Sequence, residues 1–287
     1  MRRTLLPILV AIGITALAGC APTATSLRSD DAWADRWLQI PDSTESTLRV
    51  AVVDGGMLEH PVLDGRVFER WEAEPVADTP RNAHATEMAG LLLGANRAGD
   101  TSLTAGIELL DVRVLNEDGL GRPADVAAGV RWALERDAEV ILMSLSISTD
   151  DHDLRTAIEE AHASEVVVVA STANGLAEVP SYPAEYPGVI GVTSMDSERT
   201  LAPLAGVRGA DIAAPGQNVW APSSNQGFQL AAGTSVAAAT ATSVLVACPG
   251  MLDLTEPEIV AYAKNSDVTV TSDQRSIPVL RCIPKEK

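Results

Sequence analysis

The chain has 287 residues, 46% of them hydrophobic, which is enough apolar material for one large α/β domain or two small ones. Alanine, valine and leucine carry that fraction, since aromatics make up only 3%. The net charge of −18 argues against a nucleic-acid partner, which needs clustered Lys and Arg, and reads as a solvated acidic surface.

Residues 1–19 form a separate object. A basic "MRR" precedes the short apolar run "TLLPILVAIGITALAG", and a polar stretch follows, as in an export signal rather than a membrane span. Leu17-Ala18-Gly19-Cys20 resembles the bacterial lipobox, which implies lipidation of Cys20 as the mature N-terminus. An ordinary secretory signal with a chance cysteine is the alternative. Ala21, rather than an aspartate, follows Cys20, so the resemblance implies the periplasmic face of the outer membrane in a bacterial cell envelope. Residues 20–36 are expected to be the anchor and a polar tether, and residues 37–287 the folded domain.

Beyond the tether, strand-like and helix-like segments alternate. "LRVAVVDGG" (48–56) is an apolar run stopping at glycines, "HATEMAGLLLG" (84–94) has helical spacing, and "IELLDVRVL" (107–115) is strand-like. "RPADVAAGVRWALERDA" (122–138) predicts an amphipathic helix, "EVILMSLS" (139–146) a strand, and "DHDLRTAIEEAHASE" (151–165) a helix. "VVVVASTANG" (166–175), "VIGVTSMD" (189–196) and "GADIAAPG" (209–216) predict three more strands, before a helix that begins near Ser235. This alternation implies an α/β fold of three layers, with a mostly parallel sheet covered by helices on both faces. Sites in such sheets lie at the carboxyl ends of strands. Asp54, Ser144 and Asn174 fall at strand ends, and His84 and Ser235 at helix starts, so the five are expected along one edge.

A serine becomes a nucleophile when a base takes its proton and a third group orients that base. Ser235, in "AAGTSVAAATAT", is otherwise a small residue opening a tightly packed helix. His60 reads as an exposed loop residue, and His152 and His162 as solvated neighbours of a surface helix. His84 is the remaining base, or simply a helix-start residue.

"VAVVDGG", "NAHATEMAGLLLG", "VILMSLS", "VVVVASTANG", "YPAEYPGVIGVTSMD", "IAAPG" and "AAGTSVAAA" resemble, in order, the subtilisin family of serine peptidases, from about Trp37 to about Val246. The order Asp, His, Ser is that family's. The resemblance implies that Ser235 attacks the scissile carbonyl, His84 shuttles its proton, Asp54 orients His84, and Asn174 donates to the oxyanion. It further implies that Ser144, Leu145 and Ser146 pair with an extended peptide or protein substrate. Ser171, Thr172, Ala173 and Ser181 would line the primary pocket.

The chain departs from the family at Gly55, where Ser or Thr is usual, and at Ala85 and Glu87, where Gly and His are usual. Ala239, Thr240, Ser146 and Ser181 depart likewise. Glu87 should raise the pKa of His84 if the two are close. Only 28 residues separate Cys20 from Arg49, so no folding pro-domain is expected. "LLLGANRAGDTSLTAG" lacks the Asn-rich calcium loop, so no obligatory metal or other cofactor is expected. Asp150, Asp151 and Asp153 read as a solvated helix start, or else a weak cation site. Cys248 and Cys282 either form a disulfide, as an oxidising compartment permits, or stay as buried thiols. The expected function is a monomeric, membrane-anchored serine endopeptidase; the alternative is an inactive or weak subtilase-fold lipoprotein that binds peptides.

Overall fold

The computed structural model describes residues 33–34, 47–95, 106–175, 179–266, 268–272 and 275–282. The signal, Cys20 and residues 96–105 of the segment read for calcium lie outside them.

Seven parallel strands form the central sheet: β1 (Leu48–Asp54), β2 (Val67–Glu72), β3 (Ile107–Arg113), β4 (Val140–Met143), β5 (Val167–Ser171), β6 (Val189–Met195) and β7 (Ile212–Pro215). Their order is β2-β3-β1-β4-β5-β6-β7. From β1 the chain passes to the edge strand β2, returns to place β3 between β2 and β1, and then adds β4 to β7 one after another on the other side of β1. The carboxyl ends of the neighbours β1 and β4 therefore flank the crevice where a ligand site forms in such sheets.

Helices cover both faces. The α1 turn (Glu74–Ala77) precedes α2 (His84–Leu92), α3 (Pro123–Leu134), α4 (His152–Ala163), α5 (Thr234–Ala247) and α6 (Glu256–Lys264). Successive strand side chains point to opposite faces and enter two different cores. Val50, Val52, Val140 and Leu142 pack with Met88, Leu92, Val236 and Val244 of α2 and α5. Ala51, Val53, Ile141 and Met143 pack with Val126, Val130, Leu154 and Ile158 of α3 and α4. Strands buried on both faces explain why they read as unbroken apolar runs.

All 14 residues of α5 are buried. Its Ala, Val, Ser and Thr side chains are short, so neighbours approach on every side. Thr240 Oγ1 donates to the Pro215 carbonyl at 2.7 Å, and Thr242 Oγ1 to the Ala238 carbonyl at 2.8 Å. Two antiparallel hairpins complete the fold: β8 (Val219–Pro222) with β9 (Phe228–Ala231), and β10 (Thr269–Ser272) with β11 (Arg275–Pro278). A disulfide joins Cys248, the C-cap of α5, to Cys282.

The acidic start of α4 is paired rather than open. Asp150 meets Arg155 and accepts from Tyr186 Oη. Asp151 caps the Asp153 and Leu154 amides, and Asp153 pairs with Arg131 at 2.9 Å. Among the described residues no group of three or more His, Cys, Asp or Glu could hold a metal ion.

Candidate active site

Three elements converge above the crevice. Asp54 is the last residue of β1, His84 the first of α2, and Ser235 the second of α5. His84 Nδ1 lies 2.8 Å from Asp54 Oδ2, and the other carboxylate oxygen accepts the Gly55 N–H at 2.6 Å. Asp54 is fully buried, whereas Ser235 and His84 keep 6% and 8% exposure, so the acid lies beneath a histidine and a serine that reach the surface.

Asn82 sets the entry to α2. Its Oδ1 accepts the His84 N–H at 3.1 Å, one of the amides a helix start leaves without an internal partner. Its Nδ2 donates to the Asn116 carbonyl. A Cβ at position 55 would lie 2.8 Å from Asn82 Oδ1, so Gly55 makes the room that this amide occupies. The glycine after Asp54 thus exchanges a hydroxyl beside the acid for an amide that holds the histidine's helix.

A charged cluster clamps the same turn. Buried Asp111 accepts from the Met57 N–H and pairs with Arg70 at 2.6 Å and Arg81 at 3.0 Å. Arg113 Nη2 donates to the Thr79 and Pro80 carbonyls, just before Asn82. Neither Asn82 nor this cluster was part of the sequence reading. The available signal was Asp111 and Arg113 inside an apolar strand, where unpaired charges are costly.

Ser235 lies in the first turn of α5, where backbone N–H groups lack intrahelical acceptors and the helix dipole favours negative charge. Gly233 caps that turn at φ 141°, a conformation that favours glycine. Thr234 fixes the neighbouring strand end. Its N–H and hydroxyl donate to Asn174 Oδ1 at 3.0 and 3.1 Å. This orients the Asn174 amide at the start of the serine's helix. The Ser235 hydroxyl itself donates to the Ser144 carbonyl at 3.1 Å, and no hydrogen bond joins it to His84.

Of the five residues expected along one edge, Asp54 and His84 are in contact, and Ser144 and Asn174 both meet the first turn of α5, which carries Ser235. Of the expected substrate positions, Ser144 and Leu145 are buried and Ser146 half-buried, directly after β4. Ser171 closes β5, Thr172 receives the Thr234 hydroxyl on its carbonyl, and the Ala173 carbonyl accepts from Gly206. Ser181 is fully buried, with its N–H on Glu185 and its hydroxyl unpartnered among the described residues.

His60 corrects the sequence reading: it is 3% exposed, not a surface loop residue. Its Nδ1 accepts the Val62 N–H, its Nε2 lies 3.1 Å from the Gly227 carbonyl, and Phe228 packs edge-on against it. The β8–β9 hairpin, remote in sequence, covers it.

Ala85 is buried in helical backbone, where its methyl fits without a left-handed conformation. Glu87, one turn beyond His84, accepts from Gln229 Nε2 at 2.6 Å. Burial opposes the charged form of His84, but the Asp54 carboxylate, its hydrogen bond and the Glu87 charge outweigh that and raise the histidine's pKa. The role expected of His84 as the base requires its neutral form, so a raised pKa is expected to move the loss of activity on acidification to higher pH. Replacing Glu87 by Gln removes one raising charge, and the acidic limb of the kcat/KM profile is expected to move to lower pH. A pH profile of both proteins checks the direction.

The sheet, with Asp54, His84 and Ser235 carried in that order on β1, α2 and α5, has the subtilisin-like α/β architecture. The chain belongs to the subtilase family, whose sequence model matches residues 45–274. It is by that membership a subtilisin-like serine peptidase. It is 32% identical over 196 residues to "Subtilisin BL" of Lederbergia lenta, covering 68% of this chain and 73% of that protein. "Thermitase" of Thermoactinomyces vulgaris is 31% identical over 198 residues, covering 67% and 71%. The crystal structure of a cold adapted subtilisin-like serine proteinase shares the fold at TM-score 0.71 and 23% identity, covering 84% of this chain and 90% of that one.

Proposed function

We propose that this subtilase is an exported, membrane-anchored endopeptidase that cuts extended peptides through Asp54, His84 and Ser235. The observation that carries the reading is the 2.8 Å contact between His84 Nδ1 and Asp54 Oδ2. It turns the opposite ring nitrogen, Nε2, away from the acid and makes it the base. On substrate binding the Ser235 hydroxyl turns from the Ser144 carbonyl towards Nε2. Oγ then bonds to the scissile carbonyl carbon as its proton passes to His84. The oxyanion is met by the Ser235 N–H and the Asn174 side-chain amide, at the positive end of α5. Collapse breaks the C–N bond, His84 protonates the leaving amine, and water attacks the acyl-enzyme by the same route.

The segment Ser144–Ser146 pairs with substrate backbone, and Ser171, Thr172, Ala173 and Ser181 bound the primary pocket. No cofactor takes part. Cys20 carries the lipid, on the periplasmic face of the outer membrane. The sequence supports this anchor, and among the described residues no helix is long and apolar enough to cross a membrane.

The bond from Ser235 to the Ser144 carbonyl favours a second reading, a peptide-binding lipoprotein in which the serine is not activated. The test is hydrolysis of unfolded casein by the full chain and by Ser235→Ala. Cleavage by the former alone is expected; no cleavage by either supports the second reading, and equal cleavage by both overturns Ser235 as the nucleophile. Cys20→Ala is expected to move the protein from the membrane fraction to the soluble fraction. Unchanged membrane association would overturn the anchor.

A further inference from the structure

Glu87 is a carboxylate that the proposed mechanism does not use. It lies on α2 one turn beyond His84, on the side that faces the β8–β9 hairpin. At Gly90, a further turn along, any Cβ would meet the Pro222 ring of β8. Glu87 Oε1 accepts from Gln229 on β9, and that strand runs through Ala232 and Gly233 directly into Ser235. The Glu87–Gln229 pair therefore closes one side of the cleft between the histidine's helix and the serine's turn.

The two sides of the cleft are not equivalent. Ser144 and Thr172 touch the first turn of α5 through their carbonyls, and Asn174 through its side chain. These groups mark the side of the acyl group and the oxyanion. His84 must hand its proton to the departing amine, so the leaving group lies on the histidine's side. That is the side Glu87 closes.

The carboxylate there is half-buried and has no Lys or Arg partner among the described residues. Gln229 occupies one oxygen and leaves the other available. A half-buried, unneutralised carboxylate is better served by a cation than by water or another anion.

From this geometry we infer that Glu87, supported by Gln229, selects a basic residue, Lys or Arg, immediately after the cleaved bond. The inference rests on Ser235 and His84 being the catalytic pair. An ammonium or guanidinium in that position donates to the open Glu87 oxygen while the scissile carbonyl sits over Ser235. An acidic residue in its place meets like charge. The negative charge of the whole chain, −18, adds a general attraction for basic peptides in the same direction.

The test is digestion of a mixed peptide library by the full chain, with every cleavage mapped by mass spectrometry. Wild type, Glu87→Gln and Glu87→Lys are compared. Wild type is expected to cut before Lys or Arg about tenfold more efficiently than before Asp or Glu, the scale of one charge-assisted contact. Glu87→Gln, which keeps a partner for Gln229, levels the preference, and Glu87→Lys reverses it. Ratios are taken within each protein, so a changed His84 pKa does not imitate the result. Cleavage that persists with one residue profile in all three proteins overturns the inference and leaves the catalytic reading standing. No cleavage by wild type overturns both.

Discussion

Asp54→Asn is expected to lower kcat by about 10⁴ while leaving the fold intact, the size of loss that follows when a triad histidine is held in the wrong tautomer. The hydrogen bonds at Asp54 dictate the mechanism. One oxygen accepts the Gly55 N–H at 2.6 Å, so an asparagine must keep its carbonyl oxygen there. Its NH₂ then faces His84 Nδ1, across the 2.8 Å now closed by the carboxylate. A donor in that position forces Nδ1 to accept, and the single ring proton moves to Nε2. The nitrogen that should take the Ser235 proton is then already protonated. Steady-state kinetics, with a thermal melt to show the fold retained, measure this. A loss of less than tenfold would mean that Asp54 does not set the tautomer of His84.

Removing the disulfide is expected to cost about 3–4 kcal/mol of stability, from the loop-closure entropy of a 34-residue separation. The bond ties the end of α5 to the last described segment of the chain. Between the two cysteines lie α6 and the β10–β11 hairpin, and Leu280 donates to the Ala213 carbonyl on the sheet's edge strand, β7. Both cysteines are buried, Cys248 to 6% and Cys282 to 5% exposure, so the segment docks as well as being tethered. The Cys248→Ala/Cys282→Ala protein is expected to melt about 10 °C lower at this chain length, and reductant is expected to shift wild type in the same direction. Calorimetry of the full chain measures both. An unchanged melting temperature would show that the docked contacts alone hold the C-terminal segment.

The sheet was legible because its strands are buried on both faces. Val50–Val53, Val140–Met143 and Val167–Ala170 read as apolar runs whichever core each residue enters. β2 was not, since its alternation leaves Phe68 half exposed and places Arg70 in an ion pair with Asp111. The β8–β9 hairpin was missed for a similar reason, with Gln229 and Leu230 both facing solvent. The helix α6 carried a readable mark, since Thr255 and Glu258 form a capping box.

At the site, strand ends and helix starts put Asp54, Ser144, Asn174, His84 and Ser235 on one edge of a parallel sheet, and the resemblance to the subtilisin family gave Asp54, His84, Asn174 and Ser235 their expected roles. Glu87 was visible as a departure near the histidine. What it touches was not, because Gln229 is 142 residues away. The burial of His60 depends on the same distant hairpin, and the role of Asn82 on a gap that only Gly55 leaves open. Nor does any pattern of residue types foretell that the Ser235 hydroxyl rests on the Ser144 carbonyl.

That resting bond makes activation of Ser235 the central claim. The most direct measurement is labelling of the full chain with a fluorophosphonate, mapped to the modified residue, beside Ser235→Ala. The account predicts covalent label on Ser235 in wild type and none in the variant. Folded wild-type protein that stays unlabelled, or takes the label at another residue, would contradict it.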